Sequence, residues 1–452
     1  MKTPSFLRKL FGAGQGVDRS TRELVSLCQA LLAESGEYAS TALARDALAA
    51  YRGLDERCRS EFFDLLASHY SPAPEAIGRA ASAYQVDPSP DSLLALQEAV
   101  EPPRQELFRR LNTAPGGTAA LVEMRKRLLE GLENNPRWRA IDADLLHLLR
   151  SWFNRGFLRL ERIDWRTSAI VLEKLIQYEA VHAIQGWRDL RRRLEADRRC
   201  FAFFHAQLPD EPIIFIEVAL TRGMSSRIQP LLDVGSPLAG PQDADCAMFY
   251  SITNCQEGLR GISFGNQLIK QVAGELKREL PHLRRFATLS PIPGFRRWLE
   301  KSRVRVALGE GGNERLALLE RLADPAWHLG EVPEALEKLM VRLCAWYLLH
   351  AKRQGERGAQ GHEPLDAVAR FHLGNGASLD RLNWIGDSSE SGMARSAGLM
   401  ANYVYWLGEV ERNHERYFRE HRIAASPLIE KLARECPLAS QAAQSHDTGA
   451  AA

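Results

Sequence analysis

Two short stretches of the chain carry side chains able to move a proton. In Ala287-Thr288-Leu289-Ser290-Pro291-Ile292-Pro293-Gly294-Phe295, one hydroxyl, Ser290, sits in a chain stiffened on its downstream side. Pro291 removes an amide donor and biases Ser290 towards extended geometry, while Pro293 and Gly294 force a tight change of direction. In Arg370-Phe371-His372-Leu373-Gly374-Asn375-Gly376-Ala377, one imidazole, His372, lies between apolar neighbours just before a Gly-Asn-Gly turn. A Ser and a His on two distant loops suffice for proton chemistry if folding brings them within hydrogen-bond reach. Taken alone, each also fits a plainer account: Ser-Pro is a common turn, and a histidine between Phe371 and Leu373 is a common core residue.

A third stretch offers a place for an anion. Gln256-Glu257-Gly258-Leu259-Arg260-Gly261-Ile262 leads from an apolar, β-prone run at 247–252 into a helical pattern carrying Phe264, Leu268, Ile269 and Val272. A strand, a Gly-bearing loop and a helix N-terminus together offer amides and a favourable dipole to phosphate. Glycines before helices also make ordinary turns, so the pattern alone is weak.

The elements that must position these groups follow from periodicity. Residues 1–151 read as helices. Leu24, Leu27, Cys28 and Leu31 keep helical spacing, with Gly36 as a stop; Phe62, Leu65 and Leu66 follow Ser60 as a cap. Further helices are expected near 75–86, 91–100, 104–112 and 118–132, and one capped by Asp142. A long helical region is expected at 167–199. Strands follow at 200–204, 213–220, 247–252 and 283–289, the second apolar enough to be central in a sheet. Ser290 then sits at a strand's C-terminal end, where ligand sites of open sheets gather. Helices are expected at 296–303, 313–324, 336–351 and 396–417, a mobile Gly-rich loop at 353–363, and a disordered tail from 435. The fold class is α+β, with an all-α bundle at 1–151 and a mixed-sheet domain with flanking helices at 152–434.

Composition narrows the function classes. The 452 residues allow two or three domains, and a net charge of +2 gives no overall basic field for nucleic acid. Arg191, Arg192, Arg193, Arg198 and Arg199 share their stretch with Glu195 and Asp197, which reads as a solvated face. Seven scattered cysteines include no Cys-x-x-Cys pair and no metal-ligand spacing; the odd count fits a reducing compartment. No apolar run approaches the ~20 residues that span a bilayer. The basic opening around Phe6-Leu7-Arg8-Lys9-Leu10-Phe11 is too brief for a mitochondrial presequence, and the C-terminus lacks a peroxisomal address. These features point to a cytoplasmic protein with no nucleic-acid or membrane partner.

Residues 288–298 and 368–377 resemble the two signature loops of malonyl-CoA decarboxylases. The resemblance continues through Leu382-Asn383-Trp384, Asp387-Ser388-Ser389, Ser396-Ala397-Gly398-Leu399-Met400 and Asn402-Tyr403-Val404-Tyr405. It also takes in Gly258-Leu259, Gly261-Ile262, Gly265-Asn266 and Leu268-Ile269-Lys270. The strand–loop–helix layout is similar to the pyrophosphate loop of the GNAT acyltransferase superfamily. There the pattern is Gln/Arg-x-x-Gly-x-Gly/Ala; here it is Gln256-x-Gly258-x-x-Gly261, with the inner glycine one place early.

The resemblance implies a GNAT-like catalytic domain that decarboxylates malonyl-CoA to acetyl-CoA and carbon dioxide in fatty acid metabolism. It implies His372 as proton donor, with Ser290 as its hydrogen-bonded partner. Coenzyme A would lie along Gln256, Gly258, Arg260, Gly261, Ile262, Ser263, Phe264, Gly265 and Asn266, with Arg260 and Lys270 supplying charge. Asn375, Asn383, Asp387, Ser388 and Tyr405 would line the pocket or orient His372, although a structural hydrogen bond explains each as well. No metal or organic cofactor is called for by this chemistry, and the helical part implies a homodimer or tetramer. Two rivals stay open: an acyl-CoA N-acyltransferase on the same fold, and a non-catalytic scaffold.

Overall fold

The computed structural model describes residues 17–262, 264, 268–354 and 360–439. Its contacts divide the chain into two compact units. One comprises Met1–Arg159, Phe204–Ile213 and Gln256–Ser263; the other comprises Leu160–Phe203, Ile214–Cys255 and Phe264–Ala452. The expectations for the basic N-terminal opening and for the tail beyond 439 lie outside the described residues, but a tail starting at 435 is corrected: Cys436 and Leu438 are buried in the core.

The first unit is helical as expected. Helices Arg19–Ala33, Glu37–Arg52, Glu56–His69, Pro103–Asn112, Gly117–Gly131 and Arg139–Trp152 close around Leu24, Cys28, Leu31, Phe62, Leu66, Phe108 and Leu145. Each such side chain contributes about 1.5–3 kcal/mol on leaving water. Three boundary assignments change. The helix expected to be capped by Asp142 starts at Arg139, with Asp142 inside its first turn and paired with Arg125. Asp55, not Ser60, caps the third helix, by accepting the Cys58 N–H at 2.7 Å; a carboxylate there also faces the positive helix end. Gly36 starts the second helix rather than stopping the first, which ends at Ala33.

The second unit is built on a mixed sheet. Its strands are β1 (Leu158–Ile163), β2 (Arg198–His205), β3 (Ile214–Thr221), β4 (Cys246–Asn254), β5 (Arg285–Thr288), β6 (Ser290–Pro291), β9 (Ser378–Asn383) and β10 (Met400–Val404); β7 (Lys352–Gln354) and β8 (Gln360–Pro364) form a separate pair. The order is β1-β2-β3-β4-β5-β10-β6, with β9 also on β10. β2, β3 and β4 are antiparallel neighbours, whereas β4 and β5 run parallel, joined through helix Leu268–Glu279. Ala219, Ile228, Met248, Tyr250, Ala287, Leu289 and Met400 share one core cluster on this sheet.

Four expectations are corrected here. The long helix at 167–199 is two short ones, Ala169–Tyr178 and Trp187–Arg193, followed by β2. Of the five arginines read as a solvated face, Arg191 is exposed and the other four are not. Arg192, Arg193, Arg198 and Arg199 are buried, held by Asp197, by Asp189 with Glu217, and by Glu279. The stretch 353–363 provides the arms of β7 and β8, its centre (355–359) lying outside the described residues. The helix expected at 396–417 is instead β10 followed by helix Val410–Glu420. Every residue of β10 is buried, so the alternation that marks a strand is missing from its sequence. The preceding helix Glu390–Ser396 stops because Ala397 and Gly398 adopt left-handed backbone, with φ of 53° and 75°. Among the described residues no helix is long and apolar enough to cross a membrane.

Candidate active site

The position of Ser290 follows from a parting of two strands. β4 and β5 pair from Cys246↔Arg285 to Phe249↔Thr288 and then separate. Leu289 N–H still reaches Phe249 O at 2.9 Å, but Ser290 and Pro291 pair with Ala401 and Met400 of β10 instead. The far half of β4 is thereby left facing an opening. Phe249, Tyr250, Ser251, Ile252 and Asn254 line it on one side, and Leu289, Ser290 and Pro291 on the other.

His372 reaches the same opening from helix Ala367–Gly374, not from a loop as the sequence suggested. Asp366 caps that helix, its Oδ1 accepting from Val368 N–H (3.0 Å) and Ala369 N–H (2.9 Å). Asp366 Oδ2 accepts from the Tyr347 hydroxyl at 3.3 Å. Gly294 is needed beside this pair, because a Cβ there would fall 2.3 Å from the Tyr347 oxygen. The signature segment's glycine thus lets the chain pass close to the group that anchors the His372 helix.

Ser290 Oγ and His372 Nε2 are 3.0 Å apart, although 82 residues separate them in sequence. Ser290 Oγ also lies 2.8 Å from Thr288 Oγ1, and His372 Nδ1 lies 2.8 Å from Tyr405 Oη. The imidazole stacks on Tyr403, with ring centroids 4.7 Å apart. Ser290 and His372 are both buried. Burial pushes the His372 pKa down to about 3 and holds the Tyr405 phenol well above its ordinary range, so at neutral pH both are uncharged. The cavity in front of them measures about 380 Å³, with Ile214, Phe249, Val368 and Phe371 among its walls. A buried alcohol, a neutral imidazole and apolar walls make a dry site for protonating a carbanion.

The other candidate residues are placed differently. Tyr405 stands behind His372, on its far nitrogen. Asn375 closes the His372 helix, donating to Phe371 O at 2.7 Å, and it does not line the cavity. Asn383 donates to Asn402 Oδ1 at 2.9 Å within the sheet. Asp387 accepts from Gln229 Nε2 (2.9 Å) and Ser389 N–H (3.0 Å), and Ser388 is exposed. Lys270 is paired with Glu411 at the surface. Thr288 escaped notice in the sequence; only its spacing of two from Ser290 on an extended chain could have pointed to it.

The glycine-bearing loop belongs to the helical unit. Gly258 lies so close to helix Gly117–Gly131 that a Cβ would sit 2.0 Å from Val122 O, so close packing accounts for this glycine. Buried Arg125 donates to Gly258 O (2.7 Å) and Arg260 O (2.8 Å) and pairs with Asp142 at 2.8 Å. Gly261 has a φ of 85°, which favours glycine. Gln256 donates to Pro212 O at 3.1 Å, Arg260 is exposed, and Ile262 and Phe264 are buried. Ser263, Gly265 and Asn266 lie outside the described residues.

Residues 156–446 match the malonyl-CoA decarboxylase C-terminal domain family, and residues 70–153 match the malonyl-CoA decarboxylase N-terminal domain family. A mitochondrial malonyl-CoA decarboxylase of Anser anser anser is 37% identical over 415 residues, covering 84% of this chain and 81% of the relative. The crystal structure of malonyl-CoA decarboxylase from Rhodopseudomonas palustris superposes with a TM-score of 0.87 at 48% identity, over 92% of this chain and all (100%) of that one. That from Agrobacterium vitis gives 0.83 at 46% identity, over 91% and 99%.

Proposed function

Because this chain belongs to the malonyl-CoA decarboxylase family, we propose that Ser290 and His372 carry out its reaction at the acyl end of the thioester. The enzyme is a carboxy-lyase that converts malonyl-CoA to acetyl-CoA and carbon dioxide. The bond between C2 and the terminal carboxyl carbon breaks, its electron pair stays on C2 and spreads onto the thioester oxygen, and carbon dioxide leaves. C2 then takes one proton. The His372 ring N–H supplies it, directly or across the Ser290 hydroxyl 3.0 Å away. The Tyr405 hydroxyl, donating to the other ring nitrogen, steadies the ring as its proton leaves, and one solvent proton per turnover, taken up from the cavity that His372 lines, restores the ring N–H. Apolar walls favour loss of the carboxylate, whose charge they solvate poorly.

Supporting this reading is one observation: an alcohol and an imidazole from distant segments meet at the wall of an apolar cavity. Ser290→Ala is expected to lower turnover about 10²-fold without unfolding the protein. Acetyl-CoA and carbon dioxide released from malonyl-CoA are the readout, and a fully active alanine variant would contradict the role. Added amines should leave the rate unchanged; faster CoA release with an amine would favour the acyltransferase alternative.

The nucleotide end of the substrate is assigned to the loop from Gln256 to Asn266, where exposed Arg260 offers charge. The helical unit is assigned self-association, and a cytoplasmic enzyme of fatty acid metabolism is the setting this implies. Helices Pro74–Val86 and Pro90–Val100 bury no residue and expose Val86, Leu93, Leu94 and Val100. Sedimentation should show a dimer or tetramer that Leu94→Lys weakens. A monomer at all concentrations would refute this assignment.

A further inference from the structure

The direction of the hydrogen bonds around His372 depends on a residue outside the account above. Thr288 ends β5 and is 1% exposed. Its hydroxyl oxygen, 2.8 Å from Ser290 Oγ, is placed to accept the serine proton, and it also accepts the Tyr403 backbone N–H at 3.2 Å. A serine hydroxyl has only one proton to give. With that proton directed to Thr288, Ser290 meets His372 Nε2 as an acceptor, so the ring proton resides on Nε2. Nδ1 is then a lone pair, and the Tyr405 hydroxyl donates to it across 2.8 Å.

The opposite arrangement is worse on two counts. Were Ser290 to donate to Nε2, the ring proton would move to Nδ1 and be accepted by Tyr405 Oη. Tyr405 is buried, and His372 is its only side-chain hydrogen-bond partner among the described residues, so its own proton would have no acceptor there. The Thr288 oxygen would also lose one of its two donors.

We propose that Thr288 is a positioning residue: by accepting the Ser290 proton, it holds His372 in the Nε2–H form that can donate towards the cavity. This rests on the assignment of Ser290 and His372 above. The family's chemistry needs a proton delivered to carbon, and only that tautomer offers it from the nitrogen beside Ser290.

Thr288→Val keeps the branched shape and removes the oxygen. Freed from its acceptor, the serine hydroxyl turns to Nε2, and the ring proton shifts to Nδ1. Turnover is expected to fall about 10²-fold with KM changed much less. Imidazole ¹⁵N shifts of the substrate-free protein should show the proton moving from Nε2 to Nδ1. Thr288→Ser, which restores an oxygen, should recover both rate and tautomer. Thr288→Ala gives the same two readings if valine is not accommodated.

A folded Thr288→Val protein that keeps Nε2–H, or a serine variant as slow as valine, would overturn the proposal. Because the spectrum is recorded without substrate, that failure is separate from failure of the reaction assignment, which would appear as normal turnover in a His372 variant.

Discussion

His372→Asn is expected to lower kcat about 10³-fold while the protein remains folded, since a positioned proton donor contributes about 10²–10⁴-fold. Asparagine can replace hydrogen bonds to Ser290 or Tyr405 but cannot give up a ring proton and take up another. Acetyl-CoA formation in steady state, with circular dichroism as the control for folding, gives the measurement. Turnover within a few-fold of the parent would remove His372 from the mechanism.

The same substitution carries a pH signature. Burial lowers the folded-state pKa of His372 to about 3 from the ordinary 6.5. Between those values the unfolded chain binds a proton that the folded chain does not, so stability rises with pH. The contribution of the neutral ring is fully present above 6.5 and is lost as pH falls towards 3. His372→Asn should flatten this slope in denaturation midpoints taken from pH 7 to pH 4. In the parent enzyme, kcat should be flat through pH 5–9, because neither His372 nor Tyr405 changes charge there. An acid limb near pH 6.5 assigned to His372 would contradict the buried, neutral ring.

Arg125→Leu is the substitution expected to cost the most stability. Its guanidinium is 2% exposed, donates to the carbonyls of Gly258 and Arg260, and pairs with Asp142. Leucine leaves two carbonyls and a carboxylate without their donor, and breaking a buried pair from one side costs about 3–5 kcal/mol. Chemical denaturation measures this directly. If the loop holds coenzyme A, KM for malonyl-CoA should also rise about tenfold with a smaller change in kcat, because contacts remote from the reacting bond mainly bind. Unchanged stability would mean that Arg125 does not fasten the loop, and unchanged KM would detach the loop from substrate binding.

Ser290 and His372 stood out as candidates because resemblance singled out the segments that hold them, and the sequence marks a turn beside each. Pro291 and Gly294 mark a rigid turn after Ser290, and Gly376, whose added Cβ would fall 2.1 Å from Val410 O, marks a close approach just past His372. The helical first unit was also legible, since amphipathic helices repeat their apolar residues at a fixed spacing. β10 was not. Its five buried residues carry no alternation, and their pairing with β5, β6 and β9 involves residues far away in sequence. The buried arginines at 192–199 misled for a related reason: a charge run looks solvated until its partners, Glu217 and Glu279 among them, arrive from other elements. The loop at 256–262 was legible as a Gly-bearing turn, but the packing of Gly258 against Val122 was not.

Residue types and local spacing thus determined which groups could do chemistry, where the chain turns, and that a helical part precedes a sheet. Tertiary structure alone decided that Ser290 and His372 meet, that Tyr405 and Thr288 complete their chain of hydrogen bonds, and that the imidazole is neutral. The reason is physical. Periodicity and backbone bias act over a few residues, whereas hydrogen-bond direction and desolvation depend on which distant groups fill the space around a side chain.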